Sequence, residues 1–161
     1  MAAAISRILV LLAMLPIVAI AQDLTGYKVK ALEVVIDEWN ARTKNDGPGV
    51  SFSAPEKVRF VAAMKGRPEP CSTGPLEAVL RLMDFTALLK QVKISHCVML
   101  MSSGRAALAY VQDALVSGVN SDVSIRAPME VYANILAFQV NADRSHNTPI
   151  MLVNRFEPIP H

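Results

Sequence analysis

The sequence predicts an α+β domain: a small, mostly antiparallel β-barrel or strongly curved sheet, with an N-terminal amphipathic helix and one helix inserted after the first strand. Three observations predict it. An apolar run over 97–101 meets Ser102-Ser103-Gly104 and resumes over 106–111, as two buried strands joined by a tight turn would. A third apolar run over 129–140 follows the break at Arg126-Ala127-Pro128, and its odd positions as far as Ala137 are all apolar. Elsewhere, Leu32, Val35, Ile36 and Trp39, and again Leu76, Val79, Leu80 and Met83, recur at the three- and four-residue steps of an amphipathic helix.

Residues 1–21 read as a secretory signal peptide. One cation, Arg7, precedes an apolar run over 8–20 that is shorter than the roughly 20 residues a membrane-crossing helix needs, and Ala19-Ile20-Ala21 is a small-x-small cleavage pattern. Cleavage before Gln22 is expected, with no stable membrane insertion of the product and a periplasmic or secreted location. The leader removes one of 16 Lys and Arg and none of 14 Asp and Glu, so the mature chain is nearly neutral. Lys28, Arg42, Lys57, Arg81, Lys90, Arg105 and Arg155 are scattered among acids, which argues against nucleic acid as a partner.

The remaining length suits one globular unit, with 22–49 as N-terminal helix and linker and 50–161 as a disulfide-stabilised β-rich part. Cys71 and Cys97 are the two cysteines, and in an exported chain an even count is most simply a bridge. A metal pair or catalytic thiol does not fit their spacing: there is no CxxC, and His96 would point to the face opposite Cys97 on a strand.

Taken in order, a helix is expected over 29–44, its polar side filled by Glu33, Asp37, Glu38 and Arg42. Trp39 anchors it in the core. Lys44-Asn45-Asp46-Gly47-Pro48-Gly49 is a loop. Val50 and Phe52, then Val58, Phe60 and Ala62, alternate around Ala54-Pro55 as one or two half-buried strands, with a strand placed over 57–64. Pro68 and Pro70 end it. A second helix follows over 74–90, with Gly74 as N-cap, Pro75 at the first helical position, Glu77 in the first turn and a bend near Asp84-Phe85-Thr86. Strands over 95–101 and 105–115, a polar loop over 117–122, the strand over 129–140, a polar connection over 141–149 and a last strand over 150–156 complete the chain.

This layout resembles that of small closed or partly open barrels of the OB or SH3-like kind. The resemblance is one of layout only. The OB order would place the helix after the third strand, whereas here it falls between the first and second.

No phosphate loop, dinucleotide fingerprint, zincin helix or GxSxG elbow occurs. His96, His146 and His161 lack the spacing that would put two on one metal, and the Met99/Met101 pair sits in a wholly apolar run that suits core filling better than copper. No metal or cofactor is expected. Two sets of polar residues remain. The first is the loop of Asp143, Arg144, Ser145, His146 and Asn147, followed by Asn154 and Arg155; it reads as a solvated turn, as a binding loop, or as the centre of a small hydrolase. The second is the face opposite Ala107, Ala109, Val111, Val131, Ala133 and Ile135, where the two-residue period groups Tyr110, Gln112, Tyr132 and Asn134. Those side chains are either an exposed recognition face or half-buried packing beneath the N-terminal helix. Asp113 marks the exposed end of its strand or accepts a backbone donor; a catalytic acid with a shifted pKa is the least favoured of its three readings.

These readings lead to an exported, non-enzymatic binding domain whose partner is a protein or glycan of the cell envelope, with self-association also open. The alternatives are a small hydrolase using the loop from Asp143 to His146, and an envelope assembly subunit that lends its last strand to a neighbour.

Overall fold

The computed structural model describes residues 24–122, 125–143 and 147–160. The expected leader lies outside them. Among the described residues no helix is long and apolar enough to cross a membrane. The elements in order are β1 (Lys28–Val29), α1 (Leu32–Arg42), β2 (Gly49–Met64), β3 (Glu69–Pro70), α2 (Gly74–Leu82), α3 (Thr86–Gln91), β4 (Ile94–Ser102), β5 (Arg105–Gln112), α4 (Asp113–Asp122), β6 (Met129–Val140) and β7 (Thr148–Pro158).

The strands form one mixed sheet in the order β1-β2-β6-β7-β5-β4-β3. All neighbours are antiparallel except β1 with β2 and β5 with β7. The sheet curls so far that Ala63 and Met64 of β2 also pair with Met101 and Leu100 of β4.

The concave side is the main core. Val58, Phe60, Ala62, Val131, Ala133, Ile135, Met151 and Val153 line it, and α1 fills it with Leu32, Val35, Ile36 and Trp39. Trp39 stacks on Phe138 with ring centroids 4.6 Å apart. A second core lies on the convex side, where Leu76, Val79 and Leu80 of α2 cover Tyr110, Leu136, Ile150 and Leu152. The bridge between Cys71 and Cys97 joins the approach to α2 to β4 beside this second core.

Several elements differ from expectation for identifiable reasons. The first helix begins at Leu32 because Lys28 and Val29 are spent on a parallel pairing with Val58 and Arg59, which leaves Val29 exposed. Residues 50–52 and 57–64 belong to one 16-residue strand, whose register against β6 slips between Phe52 and Glu56. The second helix is two: Asp84 adopts φ 59°, a left-handed turn that an uninterrupted helix cannot hold. Its N-cap is Thr73 rather than Gly74.

The strand expected over 105–115 stops at Gln112, and residues placed in a polar loop are helix α4 instead. Leu115, Val116 and Val119 are helix-spaced and pack on the main core, which outweighs the β propensity of a short apolar run. Parity along β6 also changes. Ile135 pairs with Met151 and Ala137 with Ile150, so Leu136 is extra, and Phe138 then faces the main core although it is even-numbered.

Candidate functional site

The convex face not covered by α2 carries a strip of polar and aromatic side chains across four strands. Register explains the grouping: Lys57 stands opposite Asn134 and Arg59 opposite Tyr132, while Tyr132 is in turn opposite Arg155. An irregularity between Tyr132 and Ala133 leaves Asn154 as an added residue on β7. Its side chain is free of the strict alternation and turns to the same face.

The contacts within the strip are specific. Asn154 donates through Nδ2 to the Tyr27 hydroxyl at 2.9 Å and accepts at Oδ1 from Gln112 Nε2 at 3.0 Å. Tyr27 meets Tyr132 edge to face at 5.4 Å, and the Lys57 ammonium stands 5.6 Å over the Tyr27 ring. The one proton of the Tyr132 hydroxyl has two carboxylate acceptors in reach, Glu157 at 3.0 Å and Glu130 at 3.1 Å. Arg59 lies 3.7 Å from Glu130, and Arg155 pairs with Glu157.

Electrostatics follow from these partners. The bond to Tyr132, with the nearby Glu130 charge, raises the Arg59 pKa and keeps the guanidinium charged. For Tyr132, the bond with Arg59 alone would favour the phenolate. Burial and the acceptors Glu157 and Glu130 outweigh it, so its pKa is raised and the hydroxyl keeps its proton as a donor. Asn134 Oδ1 is buried and has no hydrogen-bond partner among the described residues.

The sequence-derived sites are distributed as follows. Gln112, Tyr132, Asn134, Asn154 and Arg155 come together in the strip. Tyr110 does not: it is buried under α2 at 6% exposure, and Tyr132 is buried at 4%, so neither ring is the open platform that two-residue alternation allowed. The covering helix is α2, since α1 occupies the concave side. Tyr110→Ala should therefore cost about 3–5 kcal/mol, as large-to-small changes of buried aromatics do. Thermal unfolding followed by circular dichroism would show it as a drop of roughly 10–20 °C.

Asp113 is the first residue of α4 and accepts from the Ser95 backbone N–H and hydroxyl, each at 2.8 Å. His96 Nδ1 lies 3.0 Å from the same carboxylate. Ser95 Oγ is also 3.0 Å from His96 Nδ1. Serine and carboxylate thus converge on one ring nitrogen, whereas a nucleophile relay places them on opposite nitrogens. The arrangement clamps the start of β4 to the start of α4.

Burial would raise the Asp113 pKa, but the hydrogen bonds from His96 and Ser95 prevail and lower it. A carboxyl whose folded pKa lies below its unfolded one contributes stability above the unfolded value, and that contribution fades as pH falls through the folded one. Asp113→Asn should therefore flatten the acid side of the stability–pH curve below about pH 4, where a free Asp takes up its proton and the folded one still resists. Urea unfolding at a series of pH values measures this; an unchanged acid limb would assign the dependence to other carboxylates.

In the remaining loop, Asp143 is exposed, and Arg144 and His146 lie outside the described residues. Asn147 accepts from the Asn141 N–H and donates to Asn40, which ties Asn147 to Asn141 and to α1. Sequence reasoning missed Tyr27, Lys57, Arg59, Glu130 and Glu157. For Lys57 and Arg59 a signal existed, because they alternate with the apolar Val58 and Phe60; for Tyr27 there was none. No protein-family model matches the chain, and neither the curated proteins nor the solved structures contain one with significant similarity to it.

Proposed function

We propose that this chain is an exported, non-enzymatic binding domain of the cell envelope that takes a glycan on the strip running from Lys57 and Arg59 to Asn154 and Gln112. The observation that carries the reading is the cross-strand placement of planar amides and guanidinium–carboxylate pairs on one sheet face, with the half-buried Tyr27 phenol beside them. Such groups present fixed donors and acceptors, which suits the dense hydroxyls of a sugar. Export is supported by the leader-like first 21 residues and by the closed bridge between Cys71 and Cys97, a feature of oxidising compartments. The same reading takes the curled sheet as a small barrel, supported by the β2–β4 pairing.

The alternatives gain no such support. β7 lies inside the sheet between β6 and β5, so the last strand is not an edge available for donation. The test is binding of the purified mature chain to an array of envelope glycans. Arg59→Ala and Asn154→Ala should each weaken binding about tenfold or more, the effect of losing one directed polar contact, with little change in melting temperature. Binding unaffected by both, or turnover of a peptide, ester or glycan by the mature chain, would overturn the reading.

A further inference from the structure

We propose that the corner where the N-terminal lead, the end of α1 and the irregular part of β2 meet is an oxyanion-binding pocket, in which Lys28, Arg42 and Lys57 hold a phosphate, sulfate or carboxylate group. The depression has a volume of about 490 Å³ and is lined by those three cations with Glu56, Ala54 and Pro55. That is room for an oxyanion carried on a sugar ring.

The three cations come from three separate elements, and local structure brings them together. The parallel pairing of β1 places Lys28 beside Val58. Arg42 is the last residue of α1, where a cation also complements the helix dipole. Between the Phe52–Ala137 and Glu56–Ile135 pairs, β2 takes four steps where β6 takes two. The surplus chain around Ala54 and Pro55 bows outward and forms the rim. Such irregularities re-aim side chains. Here Glu56 turns inward, with 13% of its side chain exposed, and Lys57 stays exposed.

The charge balance favours an anion. Glu56 is engaged by Lys30 at 2.8 Å, and Glu38 by the same ammonium at 2.7 Å. Those carboxylates hold Lys28 and Arg42 only loosely, at 3.8 Å and 3.9 Å, and the two cations are 70% and 54% exposed, Arg42 lying also 5.7 Å over the Trp39 ring. Four cations therefore face two carboxylates. This one corner carries a local excess of two positive charges in a chain whose total formal charge is only +2. Arg42 adds a planar fork suited to two oxygens of one anion. The pocket adjoins the strip through Lys57, but the inference does not depend on what the strip binds.

The test is a titration of the mature protein with inorganic phosphate, sulfate, galacturonate and neutral galactose at low ionic strength, read by backbone amide NMR shifts. Saturable shifts at the amides of Gly26, Lys28, Ala54, Glu56 and Lys57 are expected with at least one anion and none with galactose. Lys28→Gln with Arg42→Gln should weaken that anion about tenfold or more, whereas Lys28→Arg, which keeps the charge and the Arg42 fork, retains it. Tightest binding by galacturonate would mark an acidic sugar as the source of the anion, and tightest binding by phosphate a phosphorylated one. Shifts that never saturate, that sodium chloride reproduces at matched ionic strength, or that persist in the double Gln variant would overturn the proposal. If the pocket fails while the glycan array is positive, the strip reading stands; the reverse result separates the two equally well.

Discussion

Trp39→Ala should lower the stability of the domain by about 3–5 kcal/mol, the range for removing a large buried aromatic, and its melting temperature by roughly 10–20 °C for a chain of this size. Trp39 is 1% exposed and lies where α1 meets the concave sheet, stacked on Phe138. Alanine there leaves a cavity bounded by a helix on one side and paired strands on the other. Neither can collapse into it without breaking backbone hydrogen bonds. Trp39→Phe should cost far less. The indole Nε1 is buried without a hydrogen-bond partner among the described residues, so phenylalanine keeps a ring against Phe138 and removes an unmet donor. Far-UV circular dichroism of both variants measures this, and a Phe variant as unstable as the Ala one would show that the indole's shape, not its burial, is what the core requires.

Breaking the bridge between Cys71 and Cys97 should cost about 3–4 kcal/mol, because a closure across 26 residues restricts the unfolded chain strongly. The segment it closes contains α2 and α3, and it is this segment that covers the convex core. Among the described residues, α2 and α3 meet the rest of the fold mainly through Leu76, Val79 and Leu80 of α2 with Met83 and Leu89. The cross-link therefore limits how far this cover can drift when it opens. Cys71→Ser with Cys97→Ser should show faster amide exchange in α2 than in β6, together with a lower urea midpoint. A lower midpoint with uniform exchange would mean that the bridge acts on the whole domain instead.

The fold was legible to an uneven degree, and each instance has a physical cause. The β4–β5 hairpin, the β6 strand and the face of α1 could be read because their apolar periods are long and the burial they report is one-sided. The α4 helix could not. Its apolar residues continue a strand-like run directly from β5, and only Asp113 meeting Ser95 and Leu115, Val116 and Val119 meeting the core decide the backbone there. The site was half legible: alternation put Gln112, Tyr132 and Asn134 on one face, but could not show that α2 buries Tyr110 there.

What the chain settles by itself is local: which stretches pair or coil, where the cysteines lie, and which side chains share a strand face, because periodicity depends only on neighbours a few positions apart. Tertiary structure alone decides the rest. A slip of the β2 register and an added residue in β7 turn Lys57 and Asn154 toward Tyr27, with Asn154 bonded to it at a separation of 127 residues. Such meetings arise from how a curved sheet closes on itself, and pairings between distant strands leave no trace in the order of residues.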